Sequence, residues 1–373
     1  MVEKRVCVIG AGPAGLAAAR EGARLGLTVD LFERSEIGKH IRCGEGFYDS
    51  MHLVSMPQAG VCYKVDEALL KVKKEYRVDC REINLWMIDR AEWQKNLAEQ
   101  ARAAGARIFE YTRVTPHDLH NLESKYDWVI DASGIPSITS VRYGFRDYYR
   151  RNGAVTVQYV LEGDFSEQGR RLKFLPFPYY QGYFWIFPKS SAIANVGFGY
   201  FDPDGEERNL PGRLMWNWLD QLMAREKVTG KVLRKNGGIV PIRMRERLQY
   251  GKLLLVGDAA GCASPLHGGG IDAALITGRQ AVRWIAGIEG LRNRDFSGEI
   301  WRILYPKLEI ESRVCQIWKE LDQEAVDVAA ALIAMNYKEI GFRKWIRYSP
   351  WLARNFRIGM RLRRGLTTGR WTN

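Results

Sequence analysis

The sequence predicts an α/β protein: a Rossmann-like parallel-sheet domain, an inserted antiparallel β-sheet domain and a helical C-terminal region. Three observations predict it. The apolar run Val6-Cys7-Val8-Ile9 leads straight into Gly10-Ala11-Gly12-Pro13-Ala14-Gly15 and an Ala- and Leu-rich stretch, as expected for a parallel strand covered on both faces and followed by a helix. From Gly153 to Tyr200 the texture changes to β-branched and aromatic runs separated by turn residues, which reads as an antiparallel sheet. Leu253-Leu254-Leu255-Val256 then returns to the first pattern. The first domain is therefore discontinuous, with expected bounds 1–150 and 237–290. The inserted sheet is expected over 151–236 and the helical region over 291–373.

In chain order, Pro13 to Leu25 reads as a helix with proline in its first turn, where a missing N–H costs nothing. Thr28 to Phe32 is the second strand. The pattern weakens into loops and short strands from Cys43 to Trp86. Asp89 to Ala104 is helical and places Trp93, Leu97 and Ala101 on one face. Ala106–Glu110 and Trp128–Ile130 are further strands of the first sheet. Ala154–Leu161, Leu172–Phe177, Tyr183–Phe187 and Ala192–Tyr200 form the inserted sheet. Leu210–Lys227 is helical, as is the stretch from about Gly270 to Ile288.

The turn after the first strand carries chemistry. A bound pyrophosphate needs close backbone approach, N–H donors and a favourable field. Gly10, Gly12 and Gly15 supply the approach because none has a Cβ. The helix opening at Pro13 and Ala14 supplies unpaired N–H groups and the positive end of its dipole. Glu33 ends the second strand, where a carboxylate can accept from ribose hydroxyls; Arg34 follows it. These residues predict dinucleotide binding and leave FAD and NAD undistinguished.

Composition adds limits. The 373 residues carry a formal charge of +13, which points to an anionic partner. The charge concentrates at the end: Arg343, Lys344, Arg347, Arg354, Arg357, Arg361, Arg363, Arg364 and Arg370 interleave with Trp345, Trp351, Phe356 and other apolar residues. That pattern suits an anionic membrane interface, with a solvated helical cap as the plainer alternative. No nucleic-acid recognition motif accompanies it. The six cysteines contain no C-x-x-C pair, so neither a metal site nor a disulfide framework is expected. A cytoplasmic protein, peripheral on the membrane face, is the expected localisation.

Several distant segments together resemble a known family. Gly257-Asp258-Ala259-Ala260 follows a buried strand, and Pro265-Leu266-His267-Gly268-Gly269-Gly270-Ile271 opens the next helix. Both resemble flavin motifs of the p-hydroxybenzoate-hydroxylase-like flavoproteins. Arg42-Cys43-Gly44-Glu45-Gly46 and Tyr183-Phe184-Trp185-Ile186-Phe187-Pro188 further resemble the C-G-E-G loop and Y-x-W-x-F-P motif of the geranylgeranyl reductase family. The resemblance spans about residues 5–290 and implies FAD as cofactor. It places Asp258 on the ribityl chain and the helix start at Gly268-Gly269-Gly270-Ile271, after Pro265, near flavin N1 and O2. Arg42, Cys43, Gly44 and Arg90 are implied to contact the cofactor. Asp131-Ala132-Ser133-Gly134 resembles a third motif, with Asp131 as the contact. It departs from the Asp-Gly of nicotinamide-using relatives, which weighs against direct NADPH binding.

The implied reaction saturates C=C bonds of a geranylgeranyl or related polyprenyl lipid. Hydride leaves reduced flavin N5 as a proton reaches the other carbon. Alternation puts Tyr183, Trp185 and Phe187 on one face of their strand, where they could wall a prenyl tunnel or simply fill a core. Cys43, Tyr183 and Glu45 are the candidate catalytic residues. Cys43 reads as proton donor or gate, or equally as a small buried hydrophobe; Glu45 could hold a water or the loop, with solvated surface as the plainer reading. His267 is read as structural. The electron donor, NADPH or a ferredoxin-like protein, stays open. Two other readings stand beside this one: a flavin monooxygenase or halogenase acting on an aromatic substrate, and a non-catalytic basic lipid-binding flavoprotein.

Overall fold

The computed structural model describes residues 4–201, 212–288 and 295–334. Its first sheet has six strands in the order Gln249–Tyr250, Leu253–Leu255, Trp128–Asp131, Arg5–Ile9, Thr28–Phe32, Arg107–Phe109. All neighbours pair parallel except the first two strands. Val6, Cys7, Val8 and Ile9 are buried at its centre, as the unbroken apolar run requires. The described helices longer than seven residues are α1 (Pro13–Arg24), α2 (Arg90–Ala103), α3 (Gly212–Arg225), α4 (Ile271–Ala286), α5 (Phe296–Trp318) and α6 (Gln323–Ala334). Asp89 caps α2 by accepting from the N–H groups of Ala91 and Glu92, which satisfies two of its orphan donors.

The second sheet has seven strands, ordered Lys231–Pro241, Gly153–Glu162, Ile193–Tyr200, Gly182–Pro188, Arg171–Pro176, Glu67–Lys71, Glu75–Asp79. Its last two strands come from within 1–150, the span expected for the first domain. Glu67–Lys71 joins by pairing parallel to Arg171–Pro176. That partner lies far along the chain, so no local pattern announces the pairing. Lys231–Pro241 likewise crosses the expected boundary at 236/237. Phe184, Ile186 and Phe198 pack on one face of the sheet against Met215 and Leu219 of α3. Trp185 and Phe187 point to the other face. A small sheet of Gly46–Tyr48, Leu85–Ile88 and Val61–Lys64 completes the described strands.

The expected helical C-terminal region is α5 and α6 as far as residue 334. The basic tail lies outside the described residues. Among the described residues no helix is long and apolar enough to cross a membrane.

Helices α1 and α4 touch backbone to backbone. A Cβ on Gly278 would sit 2.0 Å from the carbonyl oxygen of Ala14. This approach sets the spacing between the two helix starts that flank the cleft described next. Gly278→Ala should force the helices apart and cost about 1–3 kcal/mol by overpacking. Urea unfolding measures it, and an unchanged midpoint would show that the contact is slack.

Candidate active site: one cleft between the two sheets

A single cleft of about 1750 Å³ runs between the sheets, larger than a site for one small molecule needs. Gly10, Gly12, Pro13, Ala14, Glu33, Arg34, Arg42, Cys43, Gly44, Glu45, Arg90, Gly257, Asp258, Gly268, Gly269, Gly270, Ile271, Tyr183, Trp185 and Phe187 all line it. Residues from seven separate stretches of sequence are thus brought together.

The glycines of the first turn divide their roles. Gly10 has φ +99° and a Cβ there would meet Ala132 O at 2.5 Å. Gly12 has nothing within 4 Å of the same position, so its open side is the cleft. Gly15 does not line the cleft. Its missing Cβ lets α1 lie on the strand end, where one would stand 1.9 Å from Gly10 O. It packs the motif rather than touching a ligand. Glu33 Oε2 accepts from Ala11 N–H at 2.8 Å, and Oε1 from Ser35.

Two other expected contacts are corrected. Asp131 is fully buried. Its carboxylate accepts from the backbone and hydroxyl groups of both Ser133 and Thr139. It shapes the turn after its strand and presents nothing to the cleft. Pro265 is buried behind the glycine turn, with its carbonyl accepting from the Tyr180 hydroxyl.

The rest of the set fits FAD. The α1 N–H groups and the bare face of Gly12 suit a pyrophosphate. Glu33 is the residue that would meet the adenosine ribose, and Asp258 with the α4 N-terminus would hold the other half of the dinucleotide. Asp258 is open to the cleft yet surrounded by protein. Desolvation pushes its carboxyl upward, and Arg90 partly offsets this. Arg90 Nε is buried with no protein partner, a donor suited to a ligand oxygen. Among the described residues no group of three His, Cys, Asp or Glu could hold a metal.

The Cys43 loop is held against the aromatic strand by bonds that sequence reasoning missed. Trp185 Nε1 donates to Gln158 Oε1 at 3.1 Å, and Gln158 Nε2 donates to Cys43 O at 3.0 Å. Asn195 Nδ2 donates to Gly44 O at 3.1 Å and to Glu45 Oε2 at 2.8 Å. Gly197 makes room for the indole, since a Cβ there would meet Trp185 Cζ2 at 2.6 Å. The available signal was polarity: Gln158 and Asn195 interrupt otherwise apolar strands.

Glu45 holds the loop, one of its two expected readings, and is not solvated surface. It is buried at φ +65°. Oε1 accepts from Arg90 N–H at 2.9 Å and Lys189 Nζ at 3.1 Å. Lys189 also donates to Asp89 at 2.8 Å. Burial pulls the Lys189 pKa down, but the two carboxylates more than offset it and the net direction is up. Asp89 goes the other way: desolvation raises it, and the Lys189 bond with two backbone donors brings it below its ordinary value.

Cys43 is half-buried and its Sγ accepts from Glu45 N–H at 3.3 Å. Tyr183 donates its hydroxyl to His267 O at 2.6 Å. Desolvation, then the nearby Cys43, push its pKa up, so it keeps its proton at neutral pH. The rest of the lining is mixed: Arg113, Arg146, Arg150 and Asn236 are among its polar members, and it includes an apolar group. Phe174, Leu70 and Val78 line one side, and Ile317, Ala330 and Ile333 of α5 and α6 the other.

Comparison with known proteins follows this geometry. The FAD binding domain family matches residues 3–286. The chain is 30% identical to digeranylgeranylglycerophospholipid reductase 1 of Methanopyrus kandleri, over 91% of this chain and 93% of that one. It is 26% identical to the digeranylgeranylglycerophospholipid reductase of Methanocella arvoryzae, over 92% and 95%. Among solved structures, a geranylgeranyl bacteriochlorophyll reductase-like protein of Thermoplasma acidophilum superposes with a TM-score of 0.73 at 19% identity, covering 95% of this chain and 99% of that one. The flavin-dependent halogenase CmlS superposes at 0.63 with 17% identity, covering 97% and 72%. Both superpositions show the shared fold.

Two outcomes are expected. Gly12→Val should fold with unchanged thermal stability but purify colourless, because its side chain enters the cleft and meets no protein atom; yellow protein at normal flavin content would refute the placement. Lys189→Met should be less stable than wild type at neutral pH. Because the folded-state Lys189 pKa is raised, the wild-type advantage is complete below the unfolded value of about 10.4 and fades as pH rises through the folded one. The depressed Asp89 gives an acid limb: its share is present above about 3.9 and lost as pH falls through its folded value. Denaturant unfolding across pH checks both limbs, and a gap that instead widens at alkaline pH would contradict the assignment.

Proposed function

The chain belongs to the geranylgeranyl reductase family of FAD-dependent oxidoreductases, and we propose that it saturates C=C bonds in a geranylgeranyl or related polyprenyl chain of a lipid. The observation that carries the reading is the continuity of the cleft. One cavity is lined by the dinucleotide turn, by the Cys43 loop and by an apolar group in which Tyr183, Trp185 and Phe187 pack with Phe174.

FAD, when bound and reduced, supplies a hydride. The residues of the chain do the rest. The apolar group excludes water and takes up the apolar chain, at about 25 cal/mol for each Å² removed from water. The Gln158 and Asn195 bonds fix the Cys43 loop against the aromatic wall, so an alkene lying there meets the loop at a constant distance. An isolated trisubstituted alkene is unpolarised, so a proton must arrive with the hydride. Cys43 and Tyr183 are the groups placed to donate it: both line the cleft, and Tyr183 stays protonated. Glu45 positions the loop.

Attachment to a membrane surface through the basic, aromatic tail is part of the proposal and would bring the enzyme to its lipid. The names of the relatives support a glycerolipid as the carrier of the prenyl chain.

The test is anaerobic. Holoprotein reduced with dithionite and mixed with a geranylgeranyl glycerolipid should reoxidise, with product mass rising by one hydrogen pair per bond saturated. Cys43→Ala and Tyr183→Phe should each keep the flavin spectrum; the true proton donor is the one whose loss slows reoxidation by about 10²–10⁴-fold. Reoxidation that strictly requires O₂, with oxygen in the product, would favour a monooxygenase or halogenase and sink the proposal.

A further inference from the structure

Behind the glycine turn lies a buried ionisable cluster that the reading above does not use. Lys307 of α5 and Asp272 of α4 are each 2% exposed and pair at 2.9 Å. Ser50 Oγ donates to the same Asp272 oxygen at 3.1 Å. Desolvation works against both charges, but their mutual attraction prevails: Asp272 is held below the ordinary carboxylate range and Lys307 above the ordinary amine range. Asp272 is satisfied by these contacts, although the Lys307 charge also acts on Glu311.

Glu311, one turn further along α5, is not satisfied. It is 1% exposed. Its Oε1 lies 3.6 Å from His267 Nε2, and its Oε2 has no protein partner. His267 Nε2 and the buried hydroxyl of Tyr48 also lack hydrogen-bond partners, and the Tyr48 ring lies 5.5 Å from the imidazole. Three unsatisfied polar atoms thus share one enclosed region. His267 Nδ1 accepts from Gly269 N–H at 3.1 Å. That bond leaves Nε2 as the nitrogen that carries hydrogen, on the side of Glu311.

Charge bookkeeping then becomes decisive. Lys307 acts on both Asp272 and Glu311, so one cation serves two buried carboxylates, and an ionised Glu311 beside a neutral His267 leaves the cluster one net negative charge, a costly arrangement. One proton added to the His267–Glu311 pair removes it. The other ionisable groups around the pair do not substitute. Tyr48 is pushed up to about 12 and Cys315 to about 12, both by burial. Tyr180 is pushed higher still by the same cause. All three stay neutral near pH 7. Tyr183 meets His267 only at its backbone carbonyl.

His267 and Tyr48 line the cleft next to Gly268-Gly269-Gly270-Ile271, the start of α4 that would hold the non-adenosine half of the dinucleotide. We propose that His267 and Glu311 form a proton-holding pair that takes up one proton when the cofactor in the cleft gains an electron pair, and releases it when that electron pair leaves. An added negative charge beside the pair raises its proton affinity, and the protonated pair in turn stabilises that charge. The balance is complete. Two electrons from an external reductant, dithionite in the experiment, enter with two protons: one bonded to the cofactor and one on the pair. An alkene then receives the hydride and a proton from Cys43 or Tyr183, and the proton that the pair releases balances the one that donor must regain.

The test needs the holoenzyme and no lipid, so its failure and that of the alkene reaction are separately visible. The flavin midpoint potential is measured spectroelectrochemically at several pH values between about 7 and 8. Each proton taken up changes the two-electron equilibrium tenfold per pH unit, about 30 mV. The wild type should therefore shift by about 59 mV per unit and Glu311→Gln by about 30 mV. His267→Asn gives an independent version should Glu311→Gln bind flavin poorly, and Tyr48→Phe should retain the wild-type slope. A wild-type slope of about 30 mV, or variants that keep about 59 mV, would overturn the proposal by placing every proton on the cofactor.

Discussion

The buried carboxylate of Glu45 is the interaction on which the site depends. An ionised group removed from water must be paired and hydrogen-bonded or it destabilises the fold by several kcal/mol. Its partners here come from three places: the start of α2 through Arg90 N–H, the end of the Tyr183 strand through Lys189, and the next strand through Asn195. Satisfying one carboxylate therefore fixes how the second sheet meets the first domain. It also fixes the position of Cys43, two residues away, which cannot move without disturbing Gln158 and Trp185.

What the sequence revealed follows from what is local. The strand-turn-helix at Gly10, the helix starts at Arg90 and Ile271, and the alternation of Tyr183, Trp185 and Phe187 are set by near neighbours, and each lies where the pattern places it. What was hidden is non-local. The hairpin Glu67–Asp79 has modest strand character and belongs to the second sheet only because Arg171–Pro176 offers it an edge. Asp131 was misassigned for a related reason. An acidic residue in a motif can face a ligand or fold inward onto N–H groups, and only the backbone path decides. His267 and Glu311 lie far apart in sequence, and their pairing depends on how α5 lies behind the glycine turn.

The two faces of the second sheet divide structural and functional work. Phe184 and Ile186 complete the core with α3, while the alternate residues line the cleft. A substitution on one face tests stability and on the other tests the reaction, although they are adjacent in sequence. The same separation holds at the first turn, where Gly15 serves packing and Gly12 serves the ligand.

The discontinuity of the first sheet has a consequence for the order of assembly. Leu253–Leu255 pairs with Val129–Asp131 across the entire inserted sheet. Closing so long a loop carries an entropic cost that grows only slowly with its length, but a topology dominated by distant pairings folds slowly. During synthesis the Gly10 turn emerges first and Asp258 follows only after the second sheet has been made. Gly257 and Asp258 line the same cleft as the Gly10 turn, so the cleft is complete only once both sheets have formed.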